Sequence, residues 1–93
     1  MITTAALRTA RRATVRDLLD AVTAHDGVSP LDEAAVLALD ADDARHLLVE
    51  EEGELRGYAS VLPDGTVQGM VHPAHRRRGH GTALLREIGR AHV

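Results

Sequence analysis

The residues best suited to chemistry are consecutive: Val71-His72-Pro73-Ala74-His75-Arg76-Arg77-Arg78-Gly79-His80-Gly81-Thr82-Ala83-Leu84-Leu85. A strand-like run stops at Pro73, a loop rich in Arg and Gly follows, and a helical pattern begins. The first backbone N–H groups of a helix have no partners inside it. With the helix dipole they make a site for an anion. Gly79 and Gly81 remove side chains that would keep a phosphate from that backbone. Arg77 and Arg78 add charge that pairs with phosphate oxygens, and Thr82 adds a hydroxyl. The expectation is a diphosphate held by main-chain N–H groups from Arg77 to Thr82, with His80 acting through its backbone rather than its ring.

A bare G-x-G is weak by itself, so the competing phosphate motifs matter. A P-loop needs G-x-x-x-x-G-K-S/T, and this chain has no Lys at all. The dinucleotide fingerprint needs a third Gly and a βαβ unit, and neither is present. A solvated basic turn explains the arginines, but not two glycines spaced two apart at a helix start.

The elements that must position this segment are short. Ile2 to Leu7 reads as a weak first strand. From Ala10 to Ala24 the period is helical, with Val15, Leu18, Leu19 and Val22 on one face and Arg12, Arg16, Asp17 and Asp20 off it. Asp26-Gly27 is a stop signal. Ser29-Pro30 predicts the start of a second helix, with Ser29 as the cap and Asp32 and Glu33 at the positive end of its dipole. Leu31, Ala35, Leu37 and Leu39 should supply its apolar side, and it should end near Asp42. Three strand-like runs follow, at His46 to Glu51, Leu55 to Leu62 and Thr66 to His72. Gly53 marks the first turn between them, and Pro63-Asp64-Gly65 the second. A last helix should run from Thr82 to His92. The order is β, α, α, β, β, β, α. The fold class is α+β, with an antiparallel sheet of three to four strands and one domain over residues 1–93.

Composition bounds the rest. A chain of 93 residues holds at most one domain. Tyr58 is the only aromatic residue, so the core must rely on many small Ala, Val and Leu contacts. With no Cys there is no disulfide framework and no thiolate metal site, which fits a reducing cytoplasm. No apolar run approaches the ~20 residues of a membrane span. A net charge of −3 argues against a general nucleic-acid binder. His72 and His75 do not predict a metal site, because Pro73 keeps them off a shared helical face. His25, His46 and His92 read as ordinary surface or interface residues, and Tyr58 as half-buried packing.

The run Arg76-Arg77-Arg78-Gly79-His80-Gly81 resembles the acyl-CoA signature of the GNAT (GCN5-related) N-acetyltransferase family: Gln or Arg, two variable residues, Gly, one variable residue, then Gly or Ala. The strand ending in Val-x-Pro, the Leu-Leu helix and the order of elements match too. The resemblance implies a partial GNAT fold that binds acetyl-CoA and needs no metal. The pantetheine arm would lie along the strand before the loop, on main-chain groups of Gly69, Met70 and Val71. A backbone N–H there would polarise the thioester carbonyl for attack by a neutral amine. The diphosphate would sit on Arg77, Arg78, Gly79, His80, Gly81 and Thr82.

A narrower resemblance covers nearly the whole chain. The run from Val15-Arg16-Asp17-Leu18-Leu19 through Asp26-Gly27-Val28-Ser29-Pro30-Leu31-Asp32-Glu33 is similar to the N-terminal region of mycothiol synthases. So are His46-Leu47-Leu48-Val49, Gly57-Tyr58 and Val71-His72-Pro73. Those cytoplasmic enzymes carry tandem GNAT domains and acetylate the cysteinyl amine of a Cys-glucosaminyl-inositol. The resemblance makes Glu33 a substrate-binding residue; by charge alone it is a helix-dipole carboxylate. The chain matches only the first part of a GNAT domain, without the final strand, helix and hairpin. Gln68 stands where the family places Glu, and an amide cannot act as a base. No catalytic residue is assigned. Two readings stay open: an N-acetyltransferase, or a non-catalytic acetyl-CoA-binding domain that is degenerate or truncated. The open sheet edge predicts association, with a second copy or a second GNAT domain.

Overall fold

The computed structural model describes residues 2–5, 7, 9–40 and 44–91. In chain order they form β1 (Ile2–Ala5), α1 (Thr9–Asp26), α2 (Glu33–Ala38), β2 (Arg45–Glu51), β3 (Glu54–Val61), β4 (Val67–Val71), a 3-10 turn (Pro73–His75) and α3 (His80–Ala91). The strands make one antiparallel sheet in the order β1-β2-β3-β4, so the expected meander of the last three is present. Val61 pairs with Val67 and Gly57 with Val71, and β4, like β1, is an edge strand of the described sheet.

Both faces of the sheet are covered, which is why consecutive residues of β2 and β3 are buried, His46, Arg56 and Ser60 included. Leu48, Tyr58 and Met70 pack with Val15, Leu18 and Val22 of α1 and with Leu31, Ala35 and Leu39 around α2. On the opposite face Leu47, Val49, Ala59 and Val61 pack with Leu84 and Ile88 of α3. Gly57 lets α3 come close: a Cβ there would lie 3.4 Å from the Leu84 side chain. Polar ties add to the apolar ones. Arg16 pairs with Asp40 at 2.8 Å, across the α1 and α2 region. Arg11 pairs with Glu50 on β2 at 2.9 Å.

The turn signals work as their chemistry demands. α1 ends at Asp26, and Gly27 at φ +80 returns its N–H to the Thr23 carbonyl at 2.8 Å. In the β3–β4 hairpin Gly65 sits at φ +89, and the Asp64 carboxylate accepts the Thr66 N–H at 2.8 Å.

The second helix departs from expectation. Its cap is Asp32, whose Oδ1 accepts the Ala35 N–H at 2.9 Å. Ser29 instead donates its hydroxyl to the Leu31 carbonyl at 2.7 Å. The reason is packing. Leu31 must enter the core, so the chain stays irregular until a carboxylate, which only accepts hydrogen bonds, can serve the helix N–H groups. The helix closes at Ala38, short of Asp42, which lies outside the described residues. Leu31, Ala35 and Leu39 are buried at a spacing of four, whereas Leu37 lies on the far side and is 64% exposed. Glu33 still occupies the first turn.

The last helix begins at His80, not Thr82, so His80 and Gly81 belong to its first turn rather than to the loop. His92 lies outside the described residues. Two further expectations fail on burial. His46 is buried rather than on the surface, and Tyr58 is fully rather than half buried. Each makes the other tolerable, because His46 Nδ1 and the Tyr58 hydroxyl are 2.6 Å apart.

Candidate functional site

A cleft of ≈ 630 Å³ runs between β4, the loop after it, the start of α3 and the end of α1. Its walls include Gly69, Met70 and Val71 on the strand and Arg77, Gly79, His80, Gly81 and Thr82 at the helix start. These are eight of the nine residues expected to hold the acyl donor; Arg78 is the ninth, and it is exposed and outside the lining.

Local chemistry explains the shape. The Ala83 N–H donates to the Gly79 carbonyl at 2.9 Å, the first turn of α3. The N–H groups of His80, Gly81 and Thr82 precede that bond, in the turn where helices leave donors unpaired. Gly79 holds φ +82, and Arg77 holds φ +65, a left-handed backbone that a side chain makes costly. The glycines divide by role. A Cβ on Gly69 would lie 3.0 Å from the Tyr58 carbonyl oxygen, so that glycine serves strand packing. A Cβ on Gly81 would meet only the Val71 side chain, at 4.0 Å, so nothing in the fold itself demands glycine there. Room at Gly81 and left-handed backbone at Gly79 fit a bulky anionic ligand seated on the helix start.

His80 differs from expectation. The residue is 7% exposed and lines the cleft, and its buried Nε2 has no hydrogen-bond partner among the described residues. His80 therefore brings a buried side chain to the cleft as well as a first-turn backbone position.

The arginine that opens the run, Arg76, has its guanidinium bonded to the protein itself. Its Nη1 and Nη2 donate to Asp26 Oδ1 and Oδ2 at 2.9 and 2.8 Å, and its Nε donates to the Val71 carbonyl at 3.1 Å. The hydrogen bonds from Arg76, with help from His25, hold the Asp26 carboxyl well below the usual carboxylate range. Asp26 and Arg76 both line the cleft, although from sequence Asp26 reads as part of a helix stop and Arg76 as the opening of the signature, and neither is assigned to the site. Their pairing joins residues 50 positions apart, which no local pattern reveals.

Glu33 is exposed and outside the cleft lining. It is nevertheless close to β4 in the bonding network. The N–H of its neighbour Asp32 donates to Gln68 Oε1 at 2.7 Å. Gln68 thus serves as an acceptor that fastens the start of α2 to β4.

The paired histidines do other work. His72 Nδ1 accepts the Ala74 N–H at 3.0 Å and caps the 3-10 turn. Desolvation, then the Arg56 and Arg78 charges, push the His75 imidazole below its ordinary value. Among the described residues no group of three or more His, Asp and Glu side chains gathers as a metal site. Among them also, no helix is long and apolar enough to cross a membrane.

Comparison with known proteins agrees with this geometry. Residues 42–93 match the family model described as an acetyltransferase (GNAT) domain. The mycothiol acetyltransferase of Brachybacterium faecium is 52% identical over 124 aligned positions, which take in 92% of this chain and 38% of that protein. That of Nocardia farcinica is 51% identical over 79 positions, covering 78% of this chain and 26% of the relative. The chain therefore spans well under half the length of the curated relatives it matches. Among solved structures, an aminoglycoside 6'-N-acetyltransferase complexed with coenzyme A superposes with a TM-score of 0.70 at 14% identity, covering 98% of this chain and 54% of that one. An acetyltransferase from Vibrio fischeri superposes with a TM-score of 0.67 at 13% identity, covering 98% and 84%. With half of its length matched by the family model and its strand–loop–helix cleft intact, the chain belongs to the GNAT acetyltransferase family.

Proposed function

We propose that this chain binds acetyl-CoA in the β4–α3 cleft as the acyl donor of an N-acetyltransferase of the mycothiol-synthase kind. The observation that carries the reading is the continuity of that cleft. Edge-strand backbone at Gly69, Met70 and Val71 leads directly to a helix start at Gly79–Thr82 with open space at Gly81. An extended pantetheine arm pairs with the outer edge of β4 as an added strand would. The diphosphate rests on the N–H groups from Arg77 to Thr82, where the dipole of α3 favours negative charge. Arg78, exposed beside them, adds to the attraction at longer range.

In the reaction, a neutral amine attacks the thioester carbonyl carbon. The C–N bond forms, the C–S bond breaks, and the amine proton is lost as the CoA thiolate leaves and is protonated. A β4 backbone N–H stabilises the oxyanion. The acceptor is the cysteinyl amine of a Cys-glucosaminyl-inositol, with Glu33 binding it from the start of α2. The chain forms the N-terminal part of its GNAT domain, and it works in the cytoplasm.

A second reading is donor binding without turnover. One observation favours it. The titratable side chains among the cleft-lining residues are Asp26, Arg76, Arg77 and His80, and Asp26 is already committed to Arg76. Gln68 cannot take a proton from the amine.

Calorimetric titration with acetyl-CoA tests the shared claim. Saturable binding that disappears in Gly81→Leu supports it, and affinity that survives this change defeats it. Thiol release on adding the amine then separates transferase from binder.

A further inference from the structure

We propose that Asp26 and Arg76 are positioning residues of the donor site: their ion pair holds the Arg77–Thr82 backbone in its anion-accepting shape. The functional half of this proposal rests on the acetyl-CoA reading above; the structural half does not.

One side chain joins three elements. Arg76 donates through both terminal nitrogens to Asp26, the last residue of α1, and through Nε to the carbonyl of Val71, the last residue of β4. The two-pronged geometry fixes direction as well as distance. The guanidinium is thereby spent on the protein, although its place at the head of an Arg-rich loop would suit it to bind phosphate. Asp26 is also an unexpected choice for its position. A carboxylate at the C-terminal end of a helix opposes the dipole, so a cation must compensate it. Arg76 does so, and His25 Nδ1 lies 2.8 Å from the same carboxylate.

What the pair holds is strained. The residue directly after Arg76 is Arg77, at φ +65. Such a backbone persists in a residue with a Cβ only when its surroundings over-determine it. Here Arg76 is anchored on one side and the helix begins at His80 on the other. The conformation of the intervening residues decides where their N–H groups aim. Asp26 further passes the constraint to the α1–α2 connection, whose other end is tied to β4 by the Asp32 N–H and Gln68.

The test combines amide hydrogen exchange on the free protein with acetyl-CoA titration, applied to Asp26→Asn, Arg76→Gln and the double variant. Each single change should speed exchange at Ala83, whose N–H closes the first turn of α3 on the Gly79 carbonyl, and weaken acetyl-CoA about tenfold, with the β2–β3 hairpin unchanged as a control. The double variant should be no weaker than the worse single one, because both break the same contact. Unchanged exchange and affinity would overturn the proposal, as would single effects that multiply in the double variant. Should Arg76→Gln fail to fold, Arg76→Lys keeps the charge, loses the fork, and carries the same expectations. A wild-type protein that binds no acetyl-CoA defeats the donor-site reading, while the exchange data still decide whether the pair holds the loop.

Discussion

The hydroxyl of Tyr58 lies 2.6 Å from Nδ1 of His46, inside the sheet face that α1 and α2 cover. The two rings are nearly parallel, 26° apart, with centroids separated by 5.9 Å. Polar groups so enclosed are stable only while they are bonded.

Burial pushes the Tyr58 phenol up to about 12 from its ordinary 10.0. The folded state therefore prefers the neutral form. This contribution to stability is intact below pH 10.0 and is lost as pH rises toward about 12. Tyr58→Phe should cost roughly 1 kcal/mol at neutral pH through the lost hydrogen bond. It should also flatten the alkaline fall in stability. Because Tyr58 is the only tyrosine, phenolate absorbance reports it without interference. Titration at the ordinary value in the folded protein would contradict the burial.

Gly69 and Gly81 should separate fold from ligand. Gly69→Ala brings a Cβ to 3.0 Å from a β3 carbonyl oxygen, so it should lower stability by roughly 1–3 kcal/mol in denaturant unfolding. Gly81→Ala meets open space in a helical turn, so it should leave stability unchanged or raise it by up to about 1 kcal/mol. Its effect should fall on acetyl-CoA affinity instead. Equal stability losses in the two variants would refute this division.

The Asp26 carboxyl is held below its ordinary 3.8, chiefly by Arg76. Its contribution is therefore complete above that value and disappears as pH falls through the depressed one. Asp26→Asn should be less stable at neutral pH and show a shallower acid limb than wild type. Parallel acid limbs would mean the pair contributes nothing to the fold.

The outer edge of β4 is unpaired among the described strands, and Val67 and Leu85 beside it are 39% and 68% exposed. Such an edge invites another strand. Sedimentation should show self-association that acetyl-CoA suppresses, since both use the same backbone. A monodisperse monomer at all concentrations, with or without acetyl-CoA, would rule this out.

Glu33→Ala should leave acetyl-CoA affinity unchanged, because Glu33 lies outside the cleft, and should raise the acceptor KM if the amine docks at α2. A loss confined to donor binding would place Glu33 wrongly.

Much of the fold was legible because the signals are local. Val15, Leu18 and Val22 mark the buried face of α1 by spacing alone. Asp26-Gly27 and Pro63-Asp64-Gly65 announce their turns through backbone preferences that act over a few residues. The strand–loop–helix at Val71–Leu85 was likewise readable, since Pro73 ends the strand and a glycine-rich loop runs into an apolar helical pattern within a few residues. Misreadings came where packing overrides local preference. Ser29 and Asp32 are both good caps, and the choice fell to Asp32 because Leu31 is drawn into the core. His46 looked like a surface residue because nothing nearby in the chain announces Tyr58 as its partner.

By itself, then, the sequence determined the elements, their order, and most residues along the β4–α3 cleft, all set by interactions spanning a few positions. Only the tertiary structure decided that Arg76 spends its charge on Asp26 rather than on a phosphate, that Gln68 fastens α2, and that Gly69 serves packing while Gly81 opens the cleft. Each of these depends on groups brought together from distant parts of the chain, and the energy of such contacts exists only once the sheet and helices have closed around them.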